Sequence, residues 1–208
     1  MAEPARERLS GLNTYFDKRF ERQAVKILPG EYFASNTATM IVTVLGSCVA
    51  ACLQDCKNKV HGMNHFLLPC DYPGDNHGHG GPARYGMHAM ELLINDMIRL
   101  GADRRHIQAK VFGGGNVMSK LSHSCVGEKN AEFVIDYLRT EHIPVRAKDL
   151  LGDYPRKIYF LPESGQVRVK KIKRLQNTTI IDRESIYQRK LKEQHLRTTF
   201  DFFNVEPQ

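Results

Sequence analysis

Residues 38–69 constrain the fold more than any other part of the chain, because apolar segments alternate there with residues that turn the backbone. Thr39–Leu45 is rich in β-branched residues and predicts a strand that runs into the Gly46-Ser47 pair. Val49–Leu53 continues as a short apolar segment, and after a polar turn Val60–Leu68 forms a second one that ends at a proline. The pattern predicts buried strands joined by tight turns.

Two amphipathic helices are predicted at Arg84–Leu100 and Glu128–Thr140, where apolar residues recur at helical spacing. Further strands are predicted before, between and after these helices, at Gln23–Leu28, Gln108–Phe112, Val145–Lys148, Lys157–Leu161 and Gln166–Ile172. The last two flank a Glu-Ser-Gly turn, which is typical of a hairpin. The placement of strands before, between and after two helices favours the α+β class over a regular βαβ succession. The predicted fold is a layered α/β sandwich with mixed sheets and two main helices.

The chain length suits one domain with appendages. We expect a helical or loose extension over residues 1–22, the globular domain over 23–175 and a basic tail over 176–208, in which Asp182–Arg197 is a candidate helix capped by its first residue. The net charge is +7, and residues 166–208 carry ten Lys and Arg against five Asp and Glu. Such a tail could attract nucleic acid, a membrane surface or an acidic protein surface, or could be a solvated helix of mixed charge. Because the chain has no Trp and no stacking or DNA-reading motif, no nucleic-acid partner is predicted.

The composition also predicts a compartment. The first ten residues are charged and lack the apolar core of a secretory signal. The mostly apolar run at residues 40–53 is shorter than the ~20 residues of a membrane helix, so no membrane insertion is expected. The chain has five cysteines, an odd number, which argues against a disulfide framework. We therefore expect reduced thiols in a cytoplasmic protein.

Cys48 is the first candidate for chemistry. A free cysteine is often a packed core residue. Here, however, Gly46 and Ser47 precede it, so the backbone can turn sharply and leave amide N–H groups free to face a substrate oxygen. Cys52 and Cys56 lack this setting and are interpreted as packing and surface residues.

His65 is the second candidate, because it follows Cys48 within reach of a paired strand. A histidine in an apolar segment is often a satisfied core residue, but a buried imidazole needs a partner, and a thiol is a good one. An imidazolium beside the cysteine would lower the thiol pKa and populate the nucleophilic thiolate. Thr43 and Asn64 are the nearby candidates for orienting the ring.

A metal site is the main alternative interpretation of this region. Soft ligands are dense in a short span, namely Cys48, Cys52, Cys56, His61, His65, Cys70, His77 and His79. No C-x2-C pair occurs among them, and their spacing matches no zinc finger or ribbon, so neither a metal nor an organic cofactor is predicted.

The Gly113–Gly115 run lacks both phosphate-loop patterns and is interpreted as a close-approach loop beside the site or a tight turn.

Six segments in this order resemble the CheD family, the chemoreceptor glutamine deamidases: LGSCVAACLQD, GMNHFLLP, RYGMHAMELLI, AKVFGGGNV, GEKNAEFVIDYL and DYPRKIYFLPESGQV. The resemblance covers about Val25 to Lys173. It implies an α/β layered sandwich and a cysteine hydrolase of bacterial chemotaxis. The family's nucleophile falls on Cys48, its base on His65 and its third residue on Thr43.

The resemblance also implies substrates and partners. It suggests that selected glutamines of methyl-accepting chemotaxis proteins become glutamates through a thioester, and that receptor methyl esters are hydrolysed by some members. It further suggests binding to a CheC-like phosphatase. The alternative is a non-catalytic adaptor that keeps the fold and binds receptors or such a phosphatase.

Overall fold

The computed structural model describes residues 11–68, 82–117, 126–172, 180, 182–191 and 193. Ten strands are present in these ranges: β1 Asn13–Asp17, β2 Arg22–Lys26, β3 Tyr32–Ser35, β4 Met40–Leu45, β5 Val49–Asp55, β6 Val60–Asn64, β7 Ile107–Gly113, β8 Val145–Leu150, β9 Arg156–Phe160 and β10 Val167–Lys171. Helix α1 spans Pro82–Arg99 and helix α2 spans Val126–Thr140. Residues 182–191 form a further helix, called the tail helix below.

The strands form two five-stranded sheets. Sheet 1 has the order β1-β2-β4-β9-β10 and sheet 2 the order β3-β6-β5-β7-β8. Both are mixed, because β2 runs parallel to β4 and β7 runs parallel to β8 while the other pairs are antiparallel. The predicted α+β class with mixed sheets is therefore confirmed, and β9 and β10 form the predicted hairpin.

The sheets stack face to face, and both main helices cover the far side of sheet 2. Ile41 and Leu45 of sheet 1 meet Ala50 and Met63 of sheet 2 in the layer between the sheets. The apolar stripes of α1 and α2 pack on the opposite face of sheet 2, in a cluster with β5 and β7. Because successive strand residues point to opposite faces, β5 supplies side chains to both layers, which explains its nearly complete burial.

Both predicted helices are present, over Pro82–Arg99 and Val126–Thr140. Met90, Leu93, Ile94 and Met97 of α1 are buried, but Ile98 is 40% exposed. In the described part of the chain, no helix has the length and apolar character needed to cross a membrane.

Several expectations are corrected. Residues 13–17 are a strand rather than a helical or loose extension, since they pair with β2. Residues 32–35, which had no prediction, form β3. The strand predicted at Val60–Leu68 ends at Asn64. In addition, Ile180 is already helical, so Asp182 does not cap the tail helix.

Candidate active site

The β5–β6 hairpin brings Cys48 and His65 together. The two strands pair antiparallel, and a bridge between Val49 and Phe66 extends the pairing beyond them, with N–O distances of 3.0 and 2.9 Å. Cys48 and His65 each precede one residue of this bridge. Because side chains alternate, both point to the face opposite Val49 and Phe66, which is the layer between the sheets. Both are buried, with exposed fractions of 0% and 2%.

A third residue, Glu184 of the tail helix, completes the cluster. The Cys48 sulfur, a ring nitrogen of His65 and a carboxylate oxygen of Glu184 all lie within 4.8 Å of one another. No pattern in the sequence indicates Glu184 as a site residue. Its helix was predicted, but no local signal connects it to Gly46, which lies 138 positions away in the chain.

Thr43 orients the imidazole of His65. Its hydroxyl donates to the carbonyl of Ile27 at 2.8 Å and lies 2.7 Å from Nδ1 of His65. Because the hydroxyl proton is used on Ile27, the hydrogen bond to the ring is donated by Nδ1–H. This assignment leaves Nε2 of His65 with its lone pair, and that buried atom has no hydrogen-bond partner among the described residues.

Asn64, the other candidate for orienting the ring, has a different role. Its side-chain oxygen accepts from the amide of Ala51 at 2.9 Å, and its side-chain nitrogen donates to the carbonyl of Ala89 on α1 at 3.2 Å. The side chain of Asn64 therefore joins β6, β5 and α1 on the helix-covered face of sheet 2.

The backbone turn before Cys48 is held by the Gly113–Gly115 loop. The amide of Gly114 donates to the carbonyl of Cys48 and that of Gly115 to the carbonyl of Gly46, both at 2.8 Å. A Cβ at Gly113, where φ is +114°, would lie 2.1 Å from the Cys48 carbonyl oxygen. This is the close-approach loop expected from the sequence.

Asn130 of α2 holds the same turn from a second direction. This fully buried side chain donates to the carbonyl of Ser47 at 2.9 Å and accepts from the amide of Leu68 at 2.7 Å. The carbonyls of Gly46, Ser47 and Cys48 thus all accept hydrogen bonds from outside the turn, and the N–H groups of the turn face Glu184.

Those N–H groups bind the Glu184 carboxylate. The amides of Gly46, Ser47 and Cys48 donate to it at 2.9, 3.1 and 3.2 Å, and the Ser47 hydroxyl donates at 2.7 Å. A Cβ at Gly46 would lie 2.9 Å from Oε1 of Glu184, so the close approach needs a glycine there. Three convergent amides beside a thiol form the kind of anion-binding turn that stabilises an oxyanion in acyl transfer.

The surroundings of Cys48 and His65 shift the pKa of each side chain towards its neutral form. Burial raises the pKa of the Cys48 thiol well above its ordinary value, and the charge and hydrogen bond of Glu184 raise it further. Burial lowers the pKa of His65 to about 3, opposed by a hydrogen bond with the Ile27 backbone. The imidazolium–thiolate pair expected from the sequence is therefore not favoured while the tail helix is docked, because the thiolate would lie beside a carboxylate out of water.

Most of the possible metal ligands do not come together. Cys52 contacts the Met63 sulfur at 3.5 Å, Cys56 is exposed, and His61 bonds the carbonyl of Thr39 at 3.0 Å. Cys70, His77 and His79 lie outside the described residues. In the described ranges, Cys48, His65 and Glu184 are the group close enough to hold an ion. Both oxygens of Glu184 already accept backbone hydrogen bonds.

The chain is similar to proteins of one family. Residues 67–171 match the family model described as CheD, chemotactic sensory transduction. A probable chemoreceptor glutamine deamidase CheD 1 of Shewanella oneidensis is 58% identical over 193 residues, covering 92% of this chain and 94% of that relative. A probable chemoreceptor glutamine deamidase CheD 1 of Dechloromonas aromatica is 55% identical over 86% of this chain and 88% of that relative. One from Laribacter hongkongensis is 52% identical over 91% and 92%.

Proposed function

This chain belongs to the CheD family, and on that premise we propose that it is a cysteine amidohydrolase that converts glutamine side chains of methyl-accepting chemotaxis receptors to glutamate. One observation carries the proposal: three backbone amides converge on an oxyanion beside a buried thiol and an imidazole. A carboxamide placed there would present its carbonyl oxygen to the amides and its carbon to the sulfur.

In the first step, Nε2 of His65 takes the proton of the Cys48 thiol as the sulfur attacks the carboxamide carbon. The C=O bond becomes a C–O⁻ single bond, and the amides of Gly46, Ser47 and Cys48 stabilise that charge. Since the neutral pair avoids separated charges in a buried site, proton transfer accompanies the attack. Thr43 accepts from Nδ1–H and favours the imidazolium that forms.

In the second step, His65 gives this proton to the nitrogen, the C–N bond breaks, and ammonia leaves a thioester on Cys48. Water then attacks the thioester carbon while His65 takes one of its protons. The C–S bond breaks, the thiol regains its proton and glutamate is released. Each cycle consumes one water and produces one ammonia, and these steps require no metal or organic cofactor.

The finer assignments of substrate, partner and compartment are part of the same proposal. A receptor methyl ester offers the same carbonyl to the same thiol, so methylesterase activity is included. A CheC-like phosphatase is the proposed protein partner. We place the protein in the cytoplasm, with support from the free thiols of Cys48, Cys52 and Cys56.

The test uses the cytoplasmic part of candidate receptors as substrate, with ammonia release and mass spectrometry of receptor peptides as readouts. We expect Cys48→Ala to abolish glutamine-to-glutamate conversion. Cys52→Ala is the matched control, because Cys52 is an equally buried thiol that contacts Met63 rather than His65. Conversion by the Cys48→Ala variant at the wild-type rate would reject the mechanism. A receptor bound but left unconverted by the wild-type protein would favour the non-catalytic adaptor.

A further inference from the structure

The tail helix docks on the body through one face. Glu184, Tyr187, Gln188 and Leu191 recur at the spacing of a single helix face. The Tyr187 ring packs on Gly30 so closely that a Cβ there would lie 2.5 Å from it. Gln188 donates to the carbonyl of Leu68 at 3.2 Å, and Leu191 is 2% exposed. The surface beside Gly30 and Leu68, called the groove below, therefore binds one face of the tail helix. The contacts of that face begin at Glu184 and continue towards Leu191.

At the start of that stripe, Glu184 presents the chemical group that deamidation produces. Its carboxylate is 2% exposed and accepts from all three amides of the turn and from the Ser47 hydroxyl. A carboxamide has the same planar shape as a carboxylate, and its oxygen can accept from the amides of Gly46 and Cys48 as Oε1 of Glu184 does. The Cys48 sulfur lies within 4.8 Å of a carboxylate oxygen of Glu184, so a glutamine at this position would place its carboxamide beside the thiol.

The geometry points to the tail helix as an intramolecular product mimic: it occupies the groove that receives the substrate helix, with Glu184 where the substrate glutamine binds. This inference rests on the proposed function and extends it in two ways. The substrate is a helical receptor segment with its glutamine in the place of Glu184 and bulky side chains three and seven positions later. The chain also holds itself closed until such a helix displaces its own.

The first experiment asks whether the helix can act as substrate. In the Glu184→Gln variant, Cys48 would attack the carboxamide introduced at position 184, ammonia would leave, and hydrolysis would restore glutamate. We expect peptide mass spectrometry to find residue 184 as glutamate, formed at a rate independent of protein concentration. The Cys48→Ala/Glu184→Gln variant should keep its glutamine, and so should Glu193→Gln, which changes an exposed residue of the same tail segment. Glutamine retained at residue 184 by a variant that still converts receptor glutamines would overturn the inference.

The second experiment does not depend on catalysis. Iodoacetamide labelling of Cys48, measured by peptide mapping, should be at least about ten-fold faster in Glu184→Ala than in the wild-type protein. The reason is that the variant loses several charge-assisted hydrogen bonds and a carboxylate beside the sulfur. Leu191→Asp should also speed labelling, because it disfavours docking without changing Glu184. Glu193→Ala is the matched control and should label at the wild-type rate.

Equal labelling of Cys48 in the wild-type, Glu184→Ala and Leu191→Asp proteins would mean that the helix is a permanent part of the fold, which overturns the inference. The two proposals fail separately. Fast labelling of Glu184→Ala together with no receptor conversion by any variant would reject the deamidase and retain the closed groove.

Discussion

The hydroxyl of Thr43 on β4 and the imidazole of His65 after β6 form a hydrogen bond of 2.7 Å between the two stacked sheets. Cys48 and His65, the proposed nucleophile and base, lie at the ends of strands of sheet 2, whereas Thr43, which bonds the His65 ring, belongs to sheet 1. The stacking of the sheets therefore sets the direction in which Nε2 points.

Replacing Thr43 by Val keeps the shape of the side chain and removes the partner of Nδ1. We expect kcat for glutamine conversion to fall by about a hundred-fold, because the ring loses both its tautomer and the stabilisation of its charged form. Thr43→Ser keeps the hydroxyl and should remain within a few-fold of the wild-type rate. Equal rates for the Val and Ser variants would show that the hydrogen bond does not serve catalysis.

The approach of Gly113 to Cys48 predicts a large steric effect. Gly113→Ala combines a φ of +114° with a Cβ placed 2.1 Å from the Cys48 carbonyl oxygen, so we expect a loss of about 3 kcal/mol in unfolding free energy. Gly101→Ala is the matched control, since φ there is +100° but nothing lies within 4 Å, and its loss should be about 1 kcal/mol. Urea unfolding measures both. Equal losses would mean that the close approach contributes nothing.

Asn130 connects the Gly46–Cys48 turn to the chain after His65 through two buried hydrogen bonds. Asn130→Ala leaves the Leu68 amide and the Ser47 carbonyl unsatisfied, and should lower the unfolding free energy by about 2 kcal/mol or more. Asn130→Asp can still accept from Leu68 but cannot donate to Ser47 when ionised. If the bond to Ser47 positions the turn, the Asp variant should lose activity as the Ala variant does. Wild-type activity in the Asp variant would contradict that role.

Burial of His65 predicts a stability change in mild acid. The unfolded imidazole binds a proton near pH 6.5, whereas burial lowers the native pKa to about 3. The unfolded state therefore binds more protons between these values, and stability is lost as pH falls from about 6.5 towards 3, by up to about 1.4 kcal/mol per pH unit.

Urea unfolding between pH 6.5 and 5 measures this slope before most carboxylates titrate. His65→Gln should reduce the slope, while His88→Gln, which changes an exposed histidine on α1 outside the site, should leave it intact. Identical slopes for the wild-type and His65→Gln proteins would refute the assignment of a buried neutral imidazole.

Local patterns predicted most of the strands and both main helices. Runs such as Met40–Leu45 combine β-branched residues with burial on both faces, and a Gly-Ser turn marks their end. The two strands without a prediction, Asn13–Asp17 and Tyr32–Ser35, are short and lie at the edges of their sheets. Neither segment contains a long apolar or β-branched run, so neither is distinguished by its sequence.

The proximity of Cys48 and His65 could be predicted from local sequence. The two residues flank apolar segments joined by a polar turn, and such segments pair as a hairpin that brings their far ends together. The rest of the site depends on tertiary packing. Because sheet 1 packs on one face of sheet 2, Thr43 of β4 is the residue that bonds the His65 ring. The side chain of Asn64 points to the other face of sheet 2 and bonds α1. Docking of the tail helix places the Glu184 carboxylate on the amides of the Gly46–Cys48 turn. Contacts between residues so far apart in the chain depend on how whole layers pack, and no local pattern encodes them.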